Sequence, residues 1–410
     1  MSHIFKNQKL VIVILLLIFA LSRLITWFFG PVYFTEIIYS YMPFAHLWAS
    51  GVVPYLEQWY EYPPATIPLF YIPHLIDSLT HGTILHLNYA VSYRLQMLII
   101  DSSLFGLIMI VLKRRQASGL LFIAPLVYYI LATAKAHDFI YDTMDLSFAA
   151  AMTLGLTAPE LFKGSRAIFI SWFGFALSVA LKLMNGPLGI VYAIQERKKW
   201  KKFLIVGSVA VLAVWAVPLV IYRSSLSVMF VYHQIRGLQA DSTGAVIVRI
   251  IDKFTHSEKV IEVYKNYEMS GFLSTEMLKF LAVFFPISIL LFVLYASYIV
   301  FNAKQSKQQY LRISFTIGYL LLMMLVGKVL SRPFMLWLIP LIAVLPFSSW
   351  KKQMKFLVIS LSAVSVQLTL IPHFEIWVFD SGLLVGITRS ILFATLFYWW
   401  WQELRVQISS

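Results

Sequence analysis

Residues 9–29 read KLVIVILLLIFALSRLITWFF, and this stretch decides the fold class. A helix needs roughly 20 apolar residues to cross the hydrocarbon core of a membrane. A basic leader with Lys6 and Lys9 opens the run, as it does in a cleaved signal peptide. The apolar stretch is longer than such a peptide needs, however, and no small-x-small cleavage site follows it. The sequence therefore predicts a first transmembrane helix that is retained.

The composition extends this conclusion to the whole chain of 410 residues. Hydrophobic residues make up 60% of the chain and charged residues only 13%, whereas a soluble domain has about 45–50% and about 25%. These proportions exclude a soluble globular protein, a disordered chain and a coiled coil. Because the chain contains no cysteine, disulfides, zinc knuckles and thiol nucleophiles are excluded too. The fold class predicted is an all-α integral membrane protein.

The distribution of basic residues predicts the orientation of the chain. The net charge is +14, and Lys and Arg concentrate in the cytoplasmic loops of membrane proteins. No Lys or Arg lies between Gly30 and Tyr93, whereas 113–115 reads KRR. We expect about twelve transmembrane helices, with both termini in the cytoplasm and the chain in the plasma membrane; the apolar spans lie near 9–29, 94–112, 118–136, 144–162, 167–183, 185–196, 203–222, 276–302, 310–329, 333–348, 355–372 and 382–402. The charge is an orientation signal, so nucleic-acid binding is excluded.

Two outer segments are longer than simple connections. Residues 30–93 form the first outer loop, in which 37–50 and 64–79 read as interfacial helices, since aromatic residues favour the headgroup layer. Residues 223–275 form a second long outer segment, which is polar and mixed in charge. No repeat or soluble domain interrupts the sequence. The prediction for 1–410 is a single polytopic membrane domain whose chemistry lies at the outer face.

Acidic and aromatic residues of the first loop are candidates for that chemistry. Glu36 opens the loop at the interface, where a partly desolvated carboxylate suits a general base. A solvated loop acid is the alternative. Glu61 and Tyr62 lie in WYEYPP (59–64), whose prolines restrict the backbone and whose rings offer a surface for a sugar. Here the alternative is a plain turn.

A third acidic group begins the apolar span near 144–162. It comprises Tyr141, Asp142 and Asp145, with His137 and Asp138 just before them. Imidazole and carboxylate groups suit a metal ion, but the helix dipole also favours acids in a first turn. We therefore predict no metal site, and Tyr141 and Asp142 remain candidates for substrate binding.

Four basic residues lie on the outer side, against the trend of the other charges: Lys182, Arg236, Lys328 and Arg332. Each alone is explained by a side chain that snorkels to the interface. Together on one face they indicate a site for a phosphate, the usual partner of Lys and Arg.

Two further groups of polar residues need an explanation. The stretch 232–242 adds candidates for substrate binding, namely His233, Gln239 and Asp241. Asp101 and Arg389 lie inside predicted helices, where charges usually pair, so we assign both to structural ion pairs.

The run EIIYSYMPFAHLWASGVVPYLEQWYEYPP (36–64) resembles the first outer loop of glycosyltransferase family 87. These are membrane enzymes of glycosyltransferase superfamily C, and they include polyprenol-phosphate-mannose-dependent mannosyltransferases. The family pattern is an acid, Tyr, Ala…Gly-x-x-Pro-Tyr and Glu-Tyr-Pro-Pro, matched here by Tyr41, Ala45, Gly51, Pro54, Tyr55 and 61–64. Further islands that look similar are Tyr141-Asp142, Lys182 before a Pro-containing turn, RGLQAD at 236–241, and GKVLS at 327–331 followed by LWLIP at 336–340.

The resemblance implies the fold of that superfamily and a sugar donor linked to polyprenyl phosphate, with a mannose-like hexose. The sugar passes to a hydroxyl of a lipid or glycan acceptor with inversion, and no cofactor is needed. Glu36 is then the catalytic base, and the four outer-side basic residues hold the donor phosphate. The sequence departs from the family twice. The family's acid is usually Asp, one position after Glu36, and RPF at 332–334 replaces its Ser-Pro-Gln-Tyr run.

A transporter or a flippase of lipid-linked sugars is the alternative function. Twelve helices with both ends inside also suit a secondary carrier. Carriers usually contain internal repeats, and none is visible in this sequence. Both long loops are also predicted outside, so a transferase is favoured.

Overall fold

Helices make up most of the computed structural model, which describes residues 8–29, 36–137, 139–263, 266–370 and 380–409. The α-helices are α1 (Gln8–Phe29), α2 (Met42–Ala49), α3 (Thr66–Thr80), α4 (Tyr89–Arg114), α5 (Leu120–Lys135), α6 (Asp145–Leu161), α7 (Gly164–Leu181), α8 (Leu188–Gln195), α9 (Trp200–Tyr222), α10 (Val228–Ile235), α11 (Thr243–Thr255), α12 (Phe272–Asn302), α13 (Gln308–Val326), α14 (Met335–Val344), α15 (Trp350–Ser365) and α16 (Asp380–Ser409).

Each apolar span predicted from the sequence contains a helix. Among the described residues, seven helices are long and apolar enough to cross a membrane; they run over Lys9–Phe28, Tyr89–Arg114, Gly164–Leu181, Arg197–Ile235, Phe272–Asn302, Gln305–Val326 and Gly382–Ser409. The chain is therefore an all-α, multi-pass membrane protein, as predicted. Other predicted spans are shorter helices, such as α8 with 8 residues and α14 with 10. The twelve crossings and the orientation of the termini stay predictions.

The chain divides into two compact units. Unit 1 comprises Met1–Met184, Lys199–Tyr232 and Ile339–Val344, and unit 2 comprises Asn185–Lys198, His233–Leu338 and Leu345–Ser410. The single domain predicted for 1–410 stays a prediction, and each unit is described by itself.

In unit 1, α6 and α7 pack closely because glycines face each other. A Cβ atom added at Gly174 would lie 2.7 Å from the backbone nitrogen of Gly155, and one added at Gly155 would lie 2.9 Å from the carbonyl oxygen of Ser171. Small residues allow membrane helices to approach to this distance. The start of α6 and the end of α7, which carry predicted site residues, are thereby held in fixed positions within the unit.

A buried carboxylate, Asp101 of α4, ties unit 1 together. It accepts hydrogen bonds from Arg23 Nε of α1 at 2.6 Å and from the hydroxyls of Tyr129 at 2.7 Å and Tyr141 at 3.0 Å. The predicted intramembrane ion pair of Asp101 is confirmed. Its partner is Arg23, which the sequence did not identify.

The first outer loop begins with one π-helical turn, Ile37–Tyr41, and continues as α2 and α3. The segments 37–50 and 64–79 are therefore helical, as predicted. Their location at a membrane interface stays a prediction.

The core of unit 2 is α13, most of whose residues are buried. Trp400 of α16 lies against Gly318 of this helix, and its indole nitrogen donates to the carbonyl oxygen of Ser314 at 2.7 Å. The long α16 is thus anchored to α13 by one large ring.

The second outer segment contains more structure than the sequence indicated. Three strands, β1 (Leu238–Gln239), β2 (Lys259–Val263) and β3 (Asn266–Ser270), form an antiparallel sheet in the order β1-β3-β2, with Met269 opposite Leu238 and Val260. The buried residues Leu238 and Met269 pack with Leu281 of α12. Strands this short carry little hydrophobic alternation, which explains why the sequence indicated only a polar segment.

Candidate active site

Glu36 is exposed and directly precedes the π-helical turn of the first loop. Ile37 and Tyr41 are both buried, so the turn that follows Glu36 is anchored in the protein. Burial, Glu36 and Glu61 together raise the pKa of Tyr62 well above its ordinary value. The predicted base and the predicted sugar ligand thus lie around the same ring. The Tyr62 hydroxyl stays protonated and remains a hydrogen-bond donor.

The turn that carries Glu61 and Tyr62 is fixed by hydrogen bonds. The Tyr55 hydroxyl donates to the Tyr62 carbonyl oxygen, and the Ala65 amide donates to the carbonyl oxygen of Ala180 in α7 at 2.9 Å. Aromatic side chains around it contact one another edge to face, as in the pair of Tyr41 and Tyr62 with ring centroids 6.0 Å apart. The turn is therefore fixed locally, while the surface for a sugar predicted here stays a prediction.

Tyr41 links the first loop to the start of α6. Burial raises its pKa well above the ordinary value, and Tyr93, Tyr62, Glu36 and Asp145 act in the same direction. The two carboxylates that contribute come from segments far apart in sequence. Glu36 and Asp145 therefore both act electrostatically on one buried ring in unit 1.

Tyr141 and Asp142 are held by the protein itself. Tyr141 is buried and donates to Asp101, and the Asp142 carboxylate forms a buried ion pair with Arg94 Nε at 3.2 Å. The Arg94 guanidinium also lies over the ring of Trp27, 5.0 Å from its centroid. The substrate-binding role predicted for the two residues stays a prediction, and the structure adds a structural role. Arg94 was missed, although it too is a basic residue on the predicted outer side.

Lys182 follows α7, and its ammonium is already bonded. Its Nζ lies 2.7 Å from the carboxylate of Asp145, and both side chains are largely buried. A phosphate bound at Lys182 has to compete with that carboxylate. Asp142 and Asp145 each have a cationic partner, Arg94 and Lys182. The absence of a metal at this group stays a prediction, and Asp138 lies outside the described residues.

In unit 2, the polar stretch 236–239 meets the stretch 328–330. The Lys328 ammonium donates to the carbonyl oxygens of Gln234 at 3.1 Å and Arg236 at 2.6 Å. The backbone amide of Gln239 donates to the Lys328 carbonyl oxygen at 3.0 Å, and its side-chain Oε1 accepts from the Leu330 amide at 3.0 Å. Burial and Arg236 lower the pKa of Lys328, and Glu268 acts in the opposite direction. Gln239 thus holds the two islands together through both its backbone and its side chain, in addition to any contact with substrate.

Asp241 is buried, and three arginine side chains act on its carboxylate. Burial raises its pKa, while Arg389, Arg332 and Arg249 act against that rise. Arg389 is fully buried and donates to Gln367 at 3.3 Å. Among the described residues, Nε and Nη2 of Arg389 have no hydrogen-bond partner, and neither has Oδ1 of Asp241. Three arginines thus act electrostatically on this one buried carboxylate.

The predicted site residues are therefore distributed over both units. Unit 1 holds Glu36, Glu61, Tyr62, Tyr141, Asp142 and Lys182, and unit 2 holds His233, Arg236, Gln239, Asp241, Lys328 and Arg332. Arg236 and Arg332 are half-buried beside this polar cluster, whereas His233 is exposed at the end of α10. Arg249 and Arg389, which act on Asp241, were not among the site residues predicted from the sequence.

The chain matches no protein-family model and no curated protein. Among solved structures it is similar to ArnT from Cupriavidus metallidurans bound to undecaprenyl phosphate, with 12% identity, a TM-score of 0.46, and coverage of 94% of this chain and 76% of ArnT. The apo state of the same protein gives 14% identity, a TM-score of 0.39, and coverage of 94% and 75%. A likeness of this size does not by itself establish a shared fold.

Proposed function

We propose that this chain is a glycosyltransferase of superfamily C. In this proposal it transfers a mannose-like hexose from a polyprenyl-phosphate donor to a hydroxyl of a lipid or glycan acceptor at the outer face of the plasma membrane. The observation that carries the proposal is the environment of Tyr62, on which Glu36 and Glu61, the acids at the two ends of the motif similar to family 87, both act.

The proposed reaction needs one general base. The acceptor oxygen forms a bond to the anomeric carbon, the bond from that carbon to the phosphate oxygen breaks, and the electron pair leaves with the phosphate. Glu36 accepts the acceptor's proton, and its exposure keeps it accessible. Glu61 and the protonated Tyr62 hydroxyl orient the sugar. Attack opposite the departing phosphate inverts the anomeric centre.

The leaving phosphate needs positive charge rather than a nucleotide-binding loop. Unit 2 supports this part of the proposal through Arg236, Lys328 and Arg332, with the buried Arg389 as an addition. Charge-assisted bonds from Arg and Lys to phosphate are roughly twice as strong as neutral ones. Lys182 remains a proposed phosphate ligand that exchanges its bond to Asp145 for the donor.

The test is a transfer assay with purified protein and radiolabelled polyprenyl-phosphate-hexose, comparing Glu36→Gln with Glu57→Gln. Glutamine keeps the shape of the side chain but accepts no proton. Loss of a general base costs about 10²–10⁴-fold in rate, so we expect at least a hundredfold loss for Glu36→Gln with unchanged donor binding. Glu57 is a matched control, because it is an exposed acid of the same loop whose carboxylate accepts the Val53 amide, at 2.8 Å.

One result would change the identity of the base, and another would overturn the general-base mechanism. If Glu36→Gln retains activity while Glu61→Gln or Asp142→Asn is inactive, the base is another carboxylate and the transferase assignment survives. If all three variants transfer sugar at the wild-type rate, the general-base mechanism is wrong.

A further inference from the structure

The first outer loop contains a second group of chemically active side chains, which the proposed reaction does not use. Four of the chain's nine histidines, His46, His74, His81 and His86, lie within 41 residues of one another. We propose that Asp77, His81 and His86 form a binding site for one divalent transition-metal ion, with Zn²⁺ as the ion that fits best. The site joins the end of α3 to the loop that leads into α4.

The three side chains already converge. One ligand atom from each of Asp77, His81 and His86 can be chosen so that all lie within 4.8 Å of one another. The His86 Nε2 atom lies 2.8 Å from the carboxylate of Asp77, and the rings of His81 and His86 are perpendicular with centroids 5.1 Å apart. Ligand atoms around a tetrahedral zinc ion lie about 3.4 Å apart for bonds near 2.1 Å. Both imidazoles are exposed, so a small side-chain rotation closes that difference.

The backbone around the site is held in place. The second oxygen of Asp77 accepts the amide of Tyr89 at 3.0 Å, at the start of α4. The Thr80 hydroxyl accepts the amide of Leu87 at 3.1 Å, and the Thr83 hydroxyl donates to the Thr80 carbonyl at 2.7 Å. The bond from the Tyr89 amide to Asp77 is an outer contact of a ligand, and such contacts are worth about 10–100-fold in metal affinity. The two threonine bonds fix the backbone between the ligands. The loop is therefore constrained before any ion binds.

The donor set selects the class of ion. Two imidazoles and one carboxylate are typical of zinc and related transition metals, whereas Ca²⁺ and Mg²⁺ prefer oxygen ligands. Because the chain contains no cysteine, no thiolate competes for a soft metal. Three protein ligands leave one position of a tetrahedral ion open.

A cavity lies beside the proposed site, next to the open coordination position of the ion. An open cavity of about 390 Å³ is lined by His46, His74, Asp77, Ser78 and His81. Asp77 and His81 belong to both the cavity and the ligand set, so an ion at the site borders the cavity. Water or an anionic group in the cavity then completes the coordination, and the ion ties α3 to the following loop.

The proposal is tested by zinc binding to the full chain, freed of any histidine tag and stripped with a chelator. Competition against a chromophoric chelator gives the affinity, and elemental analysis gives the stoichiometry. We expect one zinc ion per chain that millimolar Mg²⁺ does not displace. His81→Ala and His86→Ala should each weaken zinc binding at least tenfold. Loss of a group that only supports a ligand already costs about 10–100-fold in affinity, and loss of the ligand itself should cost no less. The control is His256→Asn. His256 is an exposed histidine that follows α11, and asparagine tolerates its left-handed backbone conformation.

Cobalt supplies a readout that is independent of protein stability. Co²⁺ at a site of this donor set gives the visible absorption of a tetrahedral complex, which Asp77→Asn should abolish in protein that still elutes as a single species. Equal zinc affinity in wild type, His81→Ala and His86→Ala would overturn the proposal. So would a loss of binding in His46→Ala and His74→Ala with the other two variants unaffected.

Discussion

Lys182 and Lys328 are both basic residues on the predicted outer side, but their ammonium groups differ in their contacts. Lys182 forms a buried ion pair with Asp145, whereas Lys328 donates to two backbone carbonyl oxygens. Removing one partner of a buried ion pair leaves an uncompensated charge and costs about 3–5 kcal/mol. A lysine bonded to carbonyls leaves no buried carboxylate behind when it is replaced.

We therefore predict different defects for the two methionine variants. Lys328→Met should weaken binding of the polyprenyl-phosphate donor by roughly tenfold or more, since a hydrogen bond to a charged group is worth about 1.5–3 kcal/mol. Lys182→Met should weaken donor binding too and, unlike Lys328→Met, should also lower thermal stability, because Asp145 loses its partner. Donor affinity from a quenching titration and the unfolding midpoint in detergent measure the two effects.

Lys259→Met is the control, because Lys259 is an exposed lysine of unit 2 on β2. Lys328→Arg should recover most of the donor affinity, since it keeps the charge. Wild-type donor affinity in Lys328→Met would remove this lysine from the phosphate site.

At the scale of elements, the close contact between α6 and α7 positions the residues at their ends. Gly174 has no room for a Cβ atom, because backbone atoms of Ala151 and Gly155 lie within 2.8 Å of where it would be. Backbone atoms yield less than a flexible side chain does. The helices must separate to admit even alanine, and Lys182 at the end of α7 moves with them.

We predict that Gly174→Ala destabilises the protein by about 1–3 kcal/mol, the usual cost of overpacking, and slows sugar transfer as well. Gly106 in α4 is the matched control, since a Cβ atom there meets nothing within 4 Å. Gly106→Ala should be neutral or stabilise the fold by up to about 1 kcal/mol. Unfolding in a denaturing detergent measures both, and equal stability of the two variants would contradict the packing argument.

At the scale of the whole molecule, the sequence predicted the helical framework well and the partners of its charges poorly. Hydrophobic runs placed a helix in each predicted span, because length and polarity are local properties. The partners in three ion pairs were not predicted: Arg23–Asp101, Arg94–Asp142 and Asp145–Lys182. Each pair depends on which helices are neighbours, and a single sequence does not reveal that. Tyr141 matched a family pattern, yet its hydroxyl is bonded to Asp101. The sheet of unit 2 escaped notice because its strands have 2 to 5 residues.

The orientation of the chain remains a prediction of the basic residues, and the absence of cysteine makes it simple to test. Ser50 and Ser118 are both exposed serines in connecting segments, the first before and the second after the KRR stretch at 113–115. Ser50→Cys should react with an impermeant thiol reagent in intact cells, and Ser118→Cys only after the cells are opened. Labelling of Ser118→Cys alone in intact cells would invert the map and move the first loop to the cytoplasm.

The central claim is that the chain transfers a sugar rather than moving a lipid. Its most direct test is a proteoliposome assay with polyprenyl-phosphate-hexose as the only donor, in which products are extracted and identified by mass spectrometry. The account predicts that donor disappears only when an acceptor alcohol is present, and that free polyprenyl phosphate appears in equal amount with an inverted glycoside. Donor that changes leaflet but is recovered intact would contradict the account and identify the chain as a flippase.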